Sequence, residues 1–186
     1  MKQTKRNHLS IVTWGLLAVG ISLPALAQDT VPPTALERLR NSTPETYAVI
    51  ERELMNEWSR SGSPAMDLLL QRGRDALETG AFEEAIDHFT ALTDHAPEFA
   101  EGYNGRATAY FRKGLFGPAL DDIRRALVLN PNHYQAMIGF GIILEETGQK
   151  RAALEAYRKA ASIHPHREDV ATAIERLEPA VAGQAL

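Results

Sequence analysis

The chain has 186 residues, no cysteine, and 24 acidic against 20 basic residues, a formal charge of −4 at pH 7. The missing thiol excludes disulfides, thiolate metal sites, thiol nucleophiles and a lipid-acceptor cysteine. The missing basic excess excludes the clustered Lys and Arg that displace counterions from nucleic acid or anionic lipid.

Residues 1–27 have the pattern of a cleaved export signal. Lys2, Lys5 and Arg6 form a positive start without an acid, Ile11 to Leu23 form an apolar run, and Pro24 precedes the small-x-small site Ala25-Leu26-Ala27. Ser10, Thr13, Ser22 and Pro24 argue against an uncleaved anchor. A Sec-type route to the periplasm or the outside follows, with no membrane association after cleavage. From Gln28 onward 17 basic residues face 24 acidic ones, for a net charge of −7.

Residues 28–43 read as a leader, largely irregular, in which Thr34 and Glu37 have the capping-box spacing of a short helix at 34–40. Residues 44–60 read as an N-terminal packing helix. Thr43 is placed to cap it, Pro44 to enter its first turn, and Tyr47, Ile50, Leu54 and Trp58 recur three or four residues apart as one apolar stripe. The expected partner of that stripe is the first unit of the array that follows.

Residues 61–178 form that array, opening with Ser63 as cap and Pro64 in the first turn. Gly80, Gly114 and Gly148 stand 34 residues apart, and Ala85, Ala119, Ala153 and Pro97, Pro131, Pro165 keep the same interval. Such a period over three copies marks a stack of helix pairs, since one pair alone cannot bury both of its faces. The units run over 66–99, 100–133 and 134–167. Residues 168–178 continue the pattern of a first helix, with Val170, Ile174 and Leu177 on one stripe, and read as a capping helix that Pro179 ends; 179–186 read as a tail.

These residues resemble the tetratricopeptide repeat (TPR) family. The large apolar Leu69, Tyr103 and Met137, the small Gly73, Ala107 and Gly141, the turn glycines, the close-approach alanines, the pocket-filling Phe89, Ile123 and Tyr157 and the closing prolines all fall where that family wants them. The usual leucine of the first helix is replaced by Arg72, Arg106 and Phe140, which suggests arginine stems lying along that seam. The resemblance implies an all-α fold, a right-handed α-solenoid of three helix-turn-helix units between an N-terminal helix and a C-terminal capping helix.

It also implies a concave face, lined by the first helix of each unit, that receives a partner's peptide. The residues assigned to this groove are Leu70, Arg74 and Leu77; Glu101, Asn104, Gly105, Thr108 and Phe111; and Gln135, Ile138, Gly139 and Ile142. Gly105 and Gly139 are expected to add room. The carboxylate clamp of some relatives asks for Lys, Asn and Arg where this chain has Leu70, Arg74, Gly105, Gln135 and Gly139, so a hydrophobic or helical segment suits the groove better than a C-terminal carboxylate.

No nucleophile elbow, zinc-helix, phosphate-loop or dinucleotide motif occurs. His95, His133, His164 and His166 recur at unit ends, but their spacing supplies no tetrahedral ligand set. Asp121, Asp122, Arg124 and Arg125 read as solvated pairs on one helix. The expectation is therefore a non-catalytic, monomeric interaction module or adaptor of the bacterial cell envelope, with no catalytic residue, metal or cofactor. The alternative is a structural or oligomer-forming subunit of an envelope assembly whose groove is self-occupied.

Overall fold

The computed structural model describes residues 32–183; the expected signal at 1–27, the start of the leader and the last three residues lie outside the described residues. Among the described residues there are nine helices and no strand: α1 (Ala35–Arg40), α2 (Tyr47–Trp58), α3 (Pro64–Thr79), α4 (Phe82–His95), α5 (Ala100–Arg112), α6 (Phe116–Leu129), α7 (Tyr134–Glu146), α8 (Lys150–Ala161) and α9 (Glu168–Ala182).

Helices α3 to α8 form the three units, each a pair joined by the same turn. Gly80, Gly114 and Gly148 adopt φ of 78°, 74° and 78°, the left-handed region open to glycine. Each turn then closes with a backbone N–H donated five residues back, from Ala81 to Ala76, Leu115 to Tyr110 and Gln149 to Leu144, at 2.9, 2.9 and 2.7 Å.

Within each unit the small residue of the first helix lies against the large one of the second. A Cβ on Gly73 would fall 2.5 Å from the Phe89 ring, and one on Gly141 would fall 2.7 Å from the Tyr157 ring; the middle unit has Ala107 and the slimmer Ile123. From α3 onward consecutive helices pack in chain order, and α3, α5 and α7 also pack side by side, so the first helices share one face. Helix α9 covers the end of the stack with Val170, Ala173 and Leu177.

Several local expectations are corrected. Helix α2 starts at Tyr47, because Thr43 to Thr46 form a separate turn in which Thr46 Oγ1 accepts from the Thr43 N–H, and Thr43 does not cap the helix. Ser63 occupies the cap position of α3 but makes no side-chain cap bond; Asp67 instead accepts from the Ser61 N–H at 2.7 Å. Pro179 does not end α9, which continues to Ala182 and packs Val181 against the core.

Asp122 is not solvated. It sits 6% exposed and accepts two hydrogen bonds of 2.8 Å from Arg106 Nε and Nη2, while Arg106 Nη1 donates to Thr93 Oγ1 at 2.9 Å. Arg106 thus satisfies a buried carboxylate at the seam, whereas Arg72 is exposed.

Candidate functional site

The shared face of α3, α5 and α7 carries two hollows. One, of about 250 Å³, lies between α5 and α7 and is mainly apolar: Phe111, Ile138 and Ile142 form its walls with Ile123 and Ile143, and Asn104, Thr108, Arg112, Gln135 and Gly139 complete it. The other, of about 360 Å³, is lined by Arg74, Leu77, Glu101, Asn104, Gly105, Thr108 and Gln135, and its far rim is Met55 and Asn56 of α2 with Ser59 just beyond that helix. Eleven of the twelve residues assigned to the groove line these hollows. Leu70 lines neither, being 2% exposed within the core of the first unit.

Two of the eleven serve the fold rather than the opening. Gly105 gives no spare room, since a Cβ there would fall 2.5 Å from the Phe89 ring of the preceding unit. Glu101 is 3% exposed and committed: its Oε2 accepts from Arg74 Nη2 at 2.7 Å, and its Oε1 lies 2.9 Å from His133 Nε2. Burial alone would raise this carboxyl, but His133 and Arg74 outweigh it and hold it below the usual range. Arg74 Nη1 also donates to Ser59 Oγ at 2.9 Å, so its guanidinium is engaged twice.

Helix α2 does not pack on the first unit as expected. Its stripe lies across the start of α7 and the approach to α9, where His133, Tyr134, His164 and His166 offer aromatic and imidazole surface. Trp58 lies 5.0 Å from the His133 ring and 5.9 Å from the Tyr134 ring, and Tyr47 stacks on His166 at 5.3 Å. Ile50 and Leu54 join one core with Tyr134, Met137 and Ile138, to which α1 adds Ala35 and Leu39.

The buried polar groups under α2 form a short chain. The Tyr134 hydroxyl donates to Glu51 Oε1 at 2.8 Å, and burial together with that carboxylate holds the phenol well above its ordinary pKa. His164, 1% exposed, places Nε2 3.4 Å from Glu51 Oε1. Burial lowers its pKa more than Glu51 raises it, which leaves the ring neutral at pH 7. His133 caps α7, its Nδ1 accepting from the Ala136 N–H at 3.3 Å, so its proton lies on Nε2 beside Glu101. His166 Nε2 donates to the Ser42 carbonyl at 2.7 Å.

Sequence reasoning missed this histidine-rich seat. Its one legible signal was the recurrence of histidine beside the closing prolines. Among the described residues, no three His, Asp or Glu side chains converge as metal ligands.

Comparison with known proteins places the array. The model of the tetratricopeptide repeat family matches residues 70–127 and 116–168, together more than half of the chain. A TPR repeat-containing protein of Rhizobium etli is 29% identical over 144 residues, covering 77% of this chain and 71% of its own length. Hsp70-Hsp90 organizing protein 1 of Glycine max is 24% identical over 86% of this chain, which spans only 27% of that longer protein. Among solved structures, the first TPR of Spaghetti (RPAP3), bound to the HSP90 peptide SRMEEVD, is similar with a TM-score of 0.60 and 25% identity, over 63% of this chain and 93% of that one.

Proposed function

The chain belongs to the tetratricopeptide repeat family, and from that premise we propose that it is a non-catalytic interaction module that holds a partner's apolar segment in the hollow between α5 and α7. The observation that carries this reading is the character of that hollow. Phe111, Ile138 and Ile142 supply apolar wall, and Asn104, Thr108 and Gln135 supply hydrogen-bonding groups at its edge, the combination by which anchors give affinity and polar groups set register.

The structural neighbour bound to an HSP90 peptide supports peptide capture as the general mode. Capture of a C-terminal carboxylate is not the version favoured here. Arg74, the one cation among the clamp positions, is already neutralised by Glu101, so an apolar internal or helical segment fits better. The pattern of residues 1–27 supports a place in the bacterial cell envelope, periplasmic or secreted. A self-occupied, oligomer-forming subunit is the second reading, favoured by α2 lying on part of the same face. The apolar hollow, however, has no α2 residue in its lining.

The test is a photoreactive residue at position 108 in intact cells. A crosslinked partner is expected, and Phe111→Asp should abolish it while far-ultraviolet circular dichroism stays unchanged. Crosslinks that survive Phe111→Asp overturn the reading. Cell fractionation with N-terminal sequencing checks the location, with Gln28 the expected first residue.

A further inference from the structure

Helix α2 has the attributes of a ligand already in place. It borders the shared face of α3, α5 and α7, its apolar stripe meets Tyr134, Met137 and Ile138, and its acid Glu51 accepts from Tyr134. We propose that the seat beneath α2 is a second docking surface, specific for an acidic amphipathic helix, and that α2 occupies it in cis as a displaceable stand-in for a partner helix of the same chemistry. The proposal rests on the reading of the concave face as the interaction surface, but it concerns a different part of that face from the apolar hollow.

Two observations make α2 displaceable where the solenoid helices are not. The solenoid helices pack closely on their neighbours in the chain, whereas among the described residues α2 packs closely along its backbone with α1 and reaches the solenoid mainly through side chains. In addition, both ring nitrogens of His164 are buried with no aligned hydrogen-bond partner. Covering polar atoms without satisfying them subtracts from what the apolar contacts supply.

The chemistry of the partner follows from what α2 contributes. The seat presents His133, His164 and Arg167, and within it Glu51 lies 3.4 Å from His164 Nε2 and 3.8 Å from Arg167 Nη1. A hydrogen-bond acceptor is needed at that place, since the Tyr134 hydroxyl donates there at 2.8 Å, and a carboxylate also faces Arg167, whose first partner is Asp169 at 2.6 Å. Tyr47 and Trp58 engage the imidazoles at the two ends, about three helical turns apart. The occupant is thus a helix with an aromatic side chain at each end of one face, aliphatic residues between them, and a glutamate or aspartate one residue outside the stripe.

The test uses the full chain with Trp14→Phe, which leaves Trp58 as its only tryptophan. The probe is a labelled synthetic peptide of residues 43–60 carrying Trp58→Phe. By fluorescence anisotropy the peptide should bind the chain with Leu54→Asp at least tenfold more tightly than the chain with native α2, because a tethered helix competes at high effective concentration. Tyr134→Ala added to the Leu54→Asp chain, or Glu51→Lys in the peptide, should each weaken binding at least tenfold. Saturating peptide should shift the emission of Trp58 in the native-α2 chain to the red.

Absent binding, equal binding to both chains, or binding without the emission shift overturns the proposal. If Leu54→Asp lacks a cooperative melt, Glu51→Arg in the chain replaces it under the same criteria. Phe111→Asp should leave peptide binding unchanged, which separates failure here from failure of the apolar hollow.

Discussion

Phe89 explains more of the glycine pattern than any turn does. Its ring is fully buried and faces Gly73 and Gly105, where an added Cβ would fall 2.5 Å from it in each case. A rigid ring inside a packed core cannot give way, so Gly73→Ala should destabilise the fold by about 1–3 kcal/mol despite alanine's better helix propensity. Gly139 is the contrast. An added Cβ there meets only Ile123 Cδ1 at an ordinary 3.6 Å, so Gly139→Ala should be neutral or stabilising by up to about 1 kcal/mol. Urea midpoints with unchanged slope check both. Small residues at three equivalent places were legible in the sequence, but the identity of the ring that excludes a side chain at Gly105 required the neighbouring unit to be in place.

His164 gives the same scale a pH dependence. Its side chain is enclosed by Tyr47 and Glu51 of α2, Tyr134 of α7, and the adjacent His166 and Arg167. Burial lowers its pKa from 6.5, Glu51 opposes that, and Arg167 and His166 add to it. The unfolded chain therefore takes up a proton near pH 6.5 that the folded chain refuses. The stabilisation is complete above that pH and is lost as pH falls toward the depressed folded value. The urea midpoint should drop between pH 7.5 and 5.5, and His164→Leu should make that drop smaller. An equal drop in both proteins would remove His164 as its source.

At the scale of elements, helices were more legible than their ends. The capping box of α1 is present as its spacing suggested, Thr34 Oγ1 accepting from the Glu37 N–H at 3.2 Å and Glu37 Oε2 from the Thr34 N–H at 2.8 Å. Thr43 and Ser63 were misread because short polar side chains near a helix start have several backbone partners, and only the path of the preceding chain selects one. Pro179 was read as a stop because it removes one donor. Continued burial through Val181 offsets that loss. Asp122 looked identical to Asp121 in sequence, yet one turns inward to Arg106 while the other pairs with Arg124 at the surface. That choice depends on the facing helix α5, which lies in the same unit but across the turn.

The whole molecule is a stack whose last face is closed by α9. Val170 and Leu177 are each 1% exposed and cover Leu154, Tyr157 and Ile163 of the third unit. Removing residues 168–186 should cost roughly 3–6 kcal/mol from those two side chains alone, at ~1.5–3 kcal/mol each. Thermal and urea melts of the shortened chain check this, and an unchanged midpoint would refute the capping role. The other end is handled differently: α1 and α2 do not extend the stack but share a core with the third unit.

The 34-residue recurrence was sufficient by itself to determine the all-helical fold and its paired helices, because the contacts that build a solenoid are made between neighbours in the chain and leave a local, repeating trace. Where α2 would lie was decided only in three dimensions. Tyr134 meets Glu51 across 83 positions and His166 meets Ser42 across 124. Contacts that distant obey no period: they depend on the curvature of the finished stack, which brings separate imidazoles to one place and gives an amphipathic stripe a surface to cover.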